Sequence, residues 1–276
     1  MRRTDPTRPP LPLGPILAVA GLAAVMALEH LTPLRHATQR EPARTTRNLV
    51  LGLLSMAVVA AAEGPLVGWL AKAVEKRRWG LMQRMGAPAW LRDVLAMLGM
   101  DYTMYVWHVL THKVGFLWRF HLVHHVDLDL DSTTAMRFHA VDMLISIPWR
   151  VAQVLLLGAS RRALSIWQGF FFASVVFHHS NLRLPPRLER MMTAVLTTPR
   201  MHGIHHSAVH DQADSNWSSG FSLWDHLHRT FRLDVPQENI RIGVPGYREP
   251  AELRLWPSLT LPFRQQRDAW QQQPGA

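Results

Sequence analysis

The residues best suited to chemistry in this sequence are histidines, which recur in short clusters with regular spacing. Residues three or four apart share one face of an α-helix, so such clusters place imidazole rings side by side. Crowded imidazoles repel one another when protonated and are costly to bury unpaired, which makes metal binding the favoured interpretation. The clusters are His108 and His112; His121, His124 and His125; His178 and His179; and His202, His205 and His206.

These imidazoles are more ligands than one metal ion can use, which indicates two metal ions in a shared histidine cage. Imidazole suits iron, copper, nickel and zinc alike, so the histidines alone do not name the metal. The sequence has no cysteine, which excludes disulfides and cysteine-ligated zinc or iron–sulfur sites. The remaining histidines lack repeated spacing, and we expect surface or packing roles for His30, His36, His210, His226 and His228.

Long apolar runs must hold these clusters, and they indicate membrane helices. Residues 11–28 have bilayer-spanning length, and the lack of a small-residue cleavage site favours a retained span over a signal peptide. Residues 49–73 form a second run, in which Glu63 is either functional or marks a kink near a helix end. Residues 90–112 form either a short span or a helix in the membrane interface.

A helical hairpin is predicted from two further apolar runs, residues 140–159 and 164–177, which flank a charged turn at Arg161 and Arg162. Its exit would return His178 and His179 to the side where the other clusters lie. The predicted fold is therefore all-α: an integral membrane helical bundle of about four spans, with a cytosolic helical cap that holds the histidine-rich dimetal site.

The charge balance also favours a membrane. The net charge is +10, from 30 Lys and Arg against 20 Asp and Glu. Because the basic residues flank the apolar runs, they indicate a membrane surface, and no nucleic-acid-binding motif is visible. The arginine- and alanine-rich composition favours a bacterial protein, so the predicted location is the inner membrane, with the metal site facing the cytoplasm.

Three of the clusters, HVLTH, HLVHH and HGIHH, resemble the histidine boxes of the fatty acid hydroxylase/sterol desaturase superfamily of membrane di-iron oxygenases. The similarity runs from about Asp93 to Phe263. Val109 departs from the family pattern, where arginine is common, which bears on substrate specificity and leaves the cage intact. Matching residues outside the boxes are Asp101, Tyr105, the LWRFH lead into the second box, Thr133, Thr134, Arg137, His139, Gln168, HSN at His179 to Asn181, Thr198, Pro199, Asn216, Trp224 and Asp225.

The resemblance implies two non-haem Fe ions, with O₂ as co-substrate, held by the ten clustered histidines. It implies a di-iron domain at 93–263. Composition and the apolar runs predict a disordered basic tail at residues 1–10, a transmembrane hairpin with a basic connector at 11–92 and a disordered tail at 264–276. His139 could itself bind metal, and we favour a role beside the ligands. The residues expected to hydrogen-bond the ligand rings are Asp101, Arg137, His139, Asp142 and Asn181.

The function implied by this resemblance is a membrane-bound oxygenase that hydroxylates or desaturates a lipid, either a fatty acyl chain, a sterol or another isoprenoid. Electrons would come from a ferredoxin or cytochrome with its reductase, since no flavin, haem or iron–sulfur signature is present. Two alternatives stay open. One is a zinc-dependent membrane hydrolase, although the sequence lacks HExxH; the other is a non-enzymatic membrane metal-binding protein.

Overall fold

The computed structural model describes residues 13–39 and 42–271, and the regular elements in these ranges are helices. A π-helical turn at Val59–Glu63 and 3₁₀ turns at Thr134–Met136 and Leu261–Phe263 complete them. The predicted tail at residues 1–10 lies outside the described residues. The α-helices are α1 (Leu13–Leu31), α2 (Pro42–Val58), α3 (Gly64–Arg77), α4 (Leu81–Arg84), α5 (Ala89–Lys113), α6 (Gly115–His125), α7 (Ala140–Leu157), α8 (Arg161–His179), α9 (Pro186–Met192), α10 (Pro199–His205), α11 (His210–Ala213), α12 (Leu223–His228) and α13 (Leu255–Thr260).

Two helical stretches in the described part of the chain are long and apolar enough to cross a membrane: Pro42–Arg84, which contains α2 and α3, and Ala140–Leu157, which is α7. Only 28% of the most apolar window of each is buried inside the protein, so most of this apolar surface faces outward. Leu53, Trp69 and Leu156 are examples of such exposed side chains. About four spans were predicted. The described residues contain two candidate spans, together with a shorter apolar stretch within α1.

The predicted hairpin is present as α7 and α8. Gly158 ends α7 with a φ of 72°, a left-handed conformation that favours glycine. Ser160 then caps α8, because its hydroxyl accepts a hydrogen bond from the backbone N–H of Ala163 at 2.9 Å. The second arm runs back along α5 and ends at His178 and His179, on the side where α5 ends.

A buried apolar core joins the hairpin to the helices before it. It is built from side chains of α3, α5, α7 and α8, including Val67, Met100, Val154 and Trp167. Since α3 contributes to the same core as α5, α7 and α8, the N-terminal helices are packed directly against those that carry histidines.

A second apolar core packs the C-terminal region on α6, with Leu122, Val123 and Tyr247 among its members. Ala269 and Trp270 belong to this core as well. The predicted tail at residues 264–276 is described up to residue 271, and residues 272–276 lie outside the described ranges. These two packing residues follow directly after a polar run at 264–268.

Candidate metal centre

Four helices bring the ten predicted histidines to one place. They lie at the carboxyl ends of α5 and α8, along α6, and along and just after α10. Pro199 starts α10 where its missing N–H costs nothing, and the hydroxyl of Thr198 caps the helix. All ten side chains are buried except His112, which is partly buried.

The rings form two sets of four whose ligand nitrogens lie within 4.8 Å of one another. The first histidine group is His108, His112, His125 and His205, and the second histidine group is His124, His179, His202 and His206. Each group draws on at least three separate clusters of the sequence. Four converging nitrogens satisfy a four-coordinate metal ion.

The distances between ring nitrogens test whether the groups fit a metal. In the second group, Nε2 of His179 lies 3.0 Å from Nε2 of both His124 and His202. In the first group, Nε2 of His112 lies 3.1 Å from Nε2 of His125. A neutral imidazole has a single N–H, so nitrogens that converge in this way cannot all be satisfied by one another.

Backbone carbonyls fix the orientation of three rings. Nδ1 of His108 lies 2.7 Å from the carbonyl of Trp217, Nδ1 of His179 lies 2.7 Å from that of Val175, and Nδ1 of His205 lies 3.0 Å from that of Ser215. A carbonyl only accepts, so each Nδ1 carries the proton and each Nε2 presents a lone pair to its group. The buried Nε2 of His205 has no hydrogen-bond partner among the described residues.

The rings of His202, His205 and His206 are neutral at physiological pH. Burial lowers the pKa of His205 to about 3, with a further contribution from the neighbouring His121. Burial and the surrounding imidazoles also place the pKa values of His202 and His206 well below the ordinary value. Neutral imidazole is the form that binds metal, so the donor set fits a pair of metal ions.

Two of the ten histidines belong to neither group of four. His121 lies between the groups, with its ring centroid 5.0 Å from that of His112 and 5.3 Å from that of His124. Its Nδ1 is 3.8 Å from Oδ2 of Asp142, and its buried Nε2 has no partner in the described ranges. His178 borders the second group, with its ring 4.1 Å from that of His202.

Among the five residues expected to bond the ligand rings, only Asp142 lies beside one. Asp101 instead accepts hydrogen bonds from the backbone N–H of Phe221 and from Nε1 of Trp224. Asp101 therefore ties α5 to the chain segment that follows the third histidine box.

The other three expected residues also hold backbone segments. Arg137 donates to the carbonyl of Val123 at 2.8 Å, next to His124. His139 caps α7 by accepting from the backbone N–H of Val141, and its Nε2 lies 3.1 Å from the carbonyl of Leu259. The side chain of Asn181 pairs with the backbone of Arg35, as described below.

Sequence reasoning missed three buried charged residues that surround the centre: Glu29, Arg35 and Arg44. They come from the region before and within α2, and none of them was among the predicted site residues. The acidic turn at Asp127, Asp129 and Asp131 was the available signal, because buried carboxylates require cationic partners.

Comparison with known proteins agrees with the resemblance. Residues 94–230 match the fatty acid hydroxylase family. The ornithine lipid hydroxylase OlsE of Rhizobium tropici is 26% identical over 239 residues, which cover 84% of this chain and 70% of that protein. The alkylglycerol monooxygenase of Xenopus tropicalis is 26% identical over 151 residues, 54% of this chain and 32% of that protein.

The cholesterol 25-hydroxylase-like protein 2 of Danio rerio is 27% identical over 139 residues, which cover 49% of this chain and 48% of that protein. The chain thus spans half or less of the length of the last two relatives. No solved structure matches it. The matched residues and the histidine boxes show that the chain belongs to the fatty acid hydroxylase family.

Proposed function

We propose that the protein is a membrane-bound, iron-dependent oxygenase that hydroxylates a lipid, with desaturation as the alternative outcome. The observation that carries this proposal is the pair of neighbouring four-histidine groups in a chain of the fatty acid hydroxylase family. The relatives described above are named as hydroxylases or monooxygenases of lipids, which favours oxygen insertion.

The first and second histidine groups would each hold one iron ion. When bound, reduced iron supplies the activation of O₂ that cleavage of an unactivated C–H bond requires. His121, between the groups, and His178, at the edge of the second, would complete the ligand set. An all-nitrogen donor set with carbonyl-fixed rings supports a metal ion in each group, and the family match favours iron as that metal.

The chain's own residues position the substrate and keep water out. The centre lies where α5, α6 and α8 meet, and the burial of its histidines excludes bulk water. The outward apolar faces of α2, α3 and α7 would place the centre beside the bilayer, so that an alkyl chain reaches it without crossing water. Hydroxylation and desaturation share the first hydrogen abstraction, and the exact position of the chain decides between them.

The wider setting follows from this assignment. The centre would face the cytoplasm of a bacterial cell from within a catalytic domain at residues 93–263. A ferredoxin or cytochrome with its reductase would supply electrons, and the excess of arginine and lysine suits an acidic carrier. OlsE, matched over most of both chains, is named as an ornithine lipid hydroxylase, so we favour an amino-acid-containing lipid of this kind as substrate.

Lipid analysis of cells with and without the protein tests the activity. We expect product lipids shifted by about +16 mass units for oxygen insertion, or about −2 for desaturation. His202→Ala should abolish the product, because His202 lies in the second group. His210→Ala is the matched control, since this exposed histidine lies outside both groups. A product that persists in His202→Ala would contradict the proposal.

Metal analysis of the purified protein separates the alternatives. About two iron ions per chain support the oxygenase, whereas one zinc ion would favour the hydrolase. Two bound metal ions with no change in any lipid would favour a non-enzymatic metal-binding protein.

A further inference from the structure

A buried arginine, Arg35, lies in the segment between α1 and α2 and contacts residues that adjoin the second histidine group. Arg35 is only 7% exposed, although it stands in a stretch rich in basic residues. Its guanidinium donates to four oxygen atoms, and each lies on a different part of the chain. These acceptors are the carbonyls of Pro199 (3.1 Å), Ser180 (3.3 Å) and Leu130 (3.4 Å) and Oε1 of Gln237 (2.8 Å).

Two of these acceptors adjoin the second group directly. Ser180 follows His179, and Pro199 is the first residue of α10, which presents His202 one turn later. The guanidinium therefore spans the gap between the end of α8 and the start of α10. These two segments are not close neighbours in the sequence, since 18 residues separate Ser180 from Pro199.

The backbone of Arg35 is held just as closely. Oδ1 of Asn181 accepts from the N–H of Arg35, and Nδ2 of Asn181 donates to its carbonyl, both at 2.9 Å. The carboxylate of Glu29 accepts from the backbone N–H of Asn181 at 2.9 Å and from the hydroxyl of Ser132 at 2.6 Å. Asn181 lies two residues after His179. Both the side chain and the backbone of Arg35 therefore form hydrogen bonds close to this ligand of the second group.

Gly203, inside the third histidine box, shows how closely the arginine fits. A Cβ at this position would lie 2.7 Å from Oε1 of Gln237 and closer still to Nη1 of Arg35. Real Cβ atoms do not approach other atoms so closely, so any larger residue must displace the guanidinium. The side chains of Arg35 and Gln237 therefore fill the space beside Gly203.

Arg35 keeps its charge in this place. Burial lowers its pKa to about 10, with Glu29 and Asp131 opposing the change, so the guanidinium stays protonated at neutral pH. Its planar fork has five N–H donors and can bridge several carbonyls at once, which a lysine ammonium cannot do in the same geometry.

We propose that Arg35 is a positioning residue for the second histidine group, holding His179 and α10 at the separation that a metal ion requires. Arg35 lies outside the residues that match the family, 94–230. The proposal rests on the metal centre proposed above. It adds that a residue from outside the boxes sets the affinity of the second metal position more strongly than that of the first, to which α10 contributes only His205.

Metal titration of the purified, detergent-solubilised full chain tests this. We expect Arg35→Ala to weaken metal binding at the second group by about 10- to 100-fold, the usual effect of removing a residue that orients a ligand. The first group, whose only ligand from α10 is His205, should lose much less affinity. His206→Ala and His125→Ala, each lacking a ligand of one group, identify which step of a Co²⁺ titration belongs to which group. Arg35→Lys should give an intermediate loss.

Gly203→Ala supplies a test that does not depend on removing the arginine. With Arg35 present, the added methyl should displace the guanidinium and weaken the second group to a similar extent. In the Arg35→Ala background the same methyl should cost much less, so the two changes are not additive. Arg183→Ala is the matched control, because this exposed arginine donates to carbonyls of Pro33 and Leu34 in the same segment; its metal affinities should stay at the wild-type values.

The outcomes separate the inference from the function on which it rests. Equal weakening of both groups in Arg35→Ala, or additive losses in the double variant, would show a general structural role and overturn the inference. Unchanged binding in Arg35→Ala would overturn it too, with the metal centre intact. A wild-type chain that binds no metal at either group would instead overturn the proposed function. Should Arg35→Ala not fold, Arg35→Lys and Gly203→Ala carry the same comparison.

Discussion

Asp127 lies two residues after the second histidine box, and its carboxylate accepts hydrogen bonds from several side chains. It is 1% exposed and accepts two hydrogen bonds from the guanidinium of Arg44, at 2.9 and 2.8 Å, and one from Nδ2 of Asn48 at 3.0 Å. Burial alone would raise the pKa of Asp127, but Arg44 and Arg137 lower it well below its ordinary range. The carboxylate is therefore charged at neutral pH and fixes α2 beside the end of α6.

Asp127→Ala should lower the free energy of unfolding by about 3 kcal/mol, because it leaves the buried guanidinium of Arg44 without its bidentate partner. Thermal unfolding of the detergent-solubilised protein measures this. Asp234→Ala is the control: Asp234 pairs with Arg232 at the surface and is 71% exposed, so its loss should cost less than about 1 kcal/mol. Equal shifts in the two variants would contradict the assigned role of Asp127.

At the scale of helices, the π-helical turn Val59–Glu63 determines how the N-terminal helices meet α7. The extra residue of a π turn changes the direction of the side chains that follow. It turns Glu63 toward α7, where Nε of Arg150 donates to its carboxylate at 3.2 Å. The guanidinium also stacks 4.7 Å from the ring centre of Trp167 and bonds Gln153. The pair links two stretches that are each apolar enough to cross a membrane.

Glu63→Gln should destabilise the protein by about 3 kcal/mol, since it leaves the charge of Arg150 uncompensated in a buried, apolar setting. Glu75→Gln provides a matched control in α3, because Glu75 pairs with Arg161 at an exposed position. The control should lie within about 0.5 kcal/mol of the wild type. Unfolding temperatures compare the two, and similar values would show that the buried pair contributes nothing to helix docking.

For the molecule as a whole, the centre is where the histidine-bearing helices and the N-terminal loop meet. The described part of the chain buries several imidazole nitrogens without hydrogen-bond partners, among them Nε2 of His121 and of His205. Bound metal relieves the crowding of these rings, so metal binding and folding should be thermodynamically linked. No single helix could show this linkage by itself, because each group of four takes its ligands from several helices.

Removal of metal with a chelator should therefore lower the unfolding temperature of the whole protein. Each metal present at about a thousand times its Kd stabilises the folded state by about 4 kcal/mol. Scans with and without chelator measure the difference, and His202→Ala should show a smaller one because one group is already impaired. An unfolding temperature that does not respond to the chelator would contradict metal binding by the folded chain.

The sequence by itself determined the local features of this protein. Helical periodicity and apolar runs gave the hairpin of α7 and α8, and the spacing of the histidines gave all ten rings that converge. These features depend on neighbours a few residues apart, and the family resemblance followed from the same motifs.

Only the tertiary structure decided which rings share a group. His124 and His125 are adjacent in sequence, yet they fall into different groups, because neighbouring side chains on a helix point about 100° apart. It also decided that Arg35 and Glu63 are buried and paired, with partners 87 or more residues away. Such pairings depend on how helices cross, and the crossing is set by packing between segments that the chain separates widely.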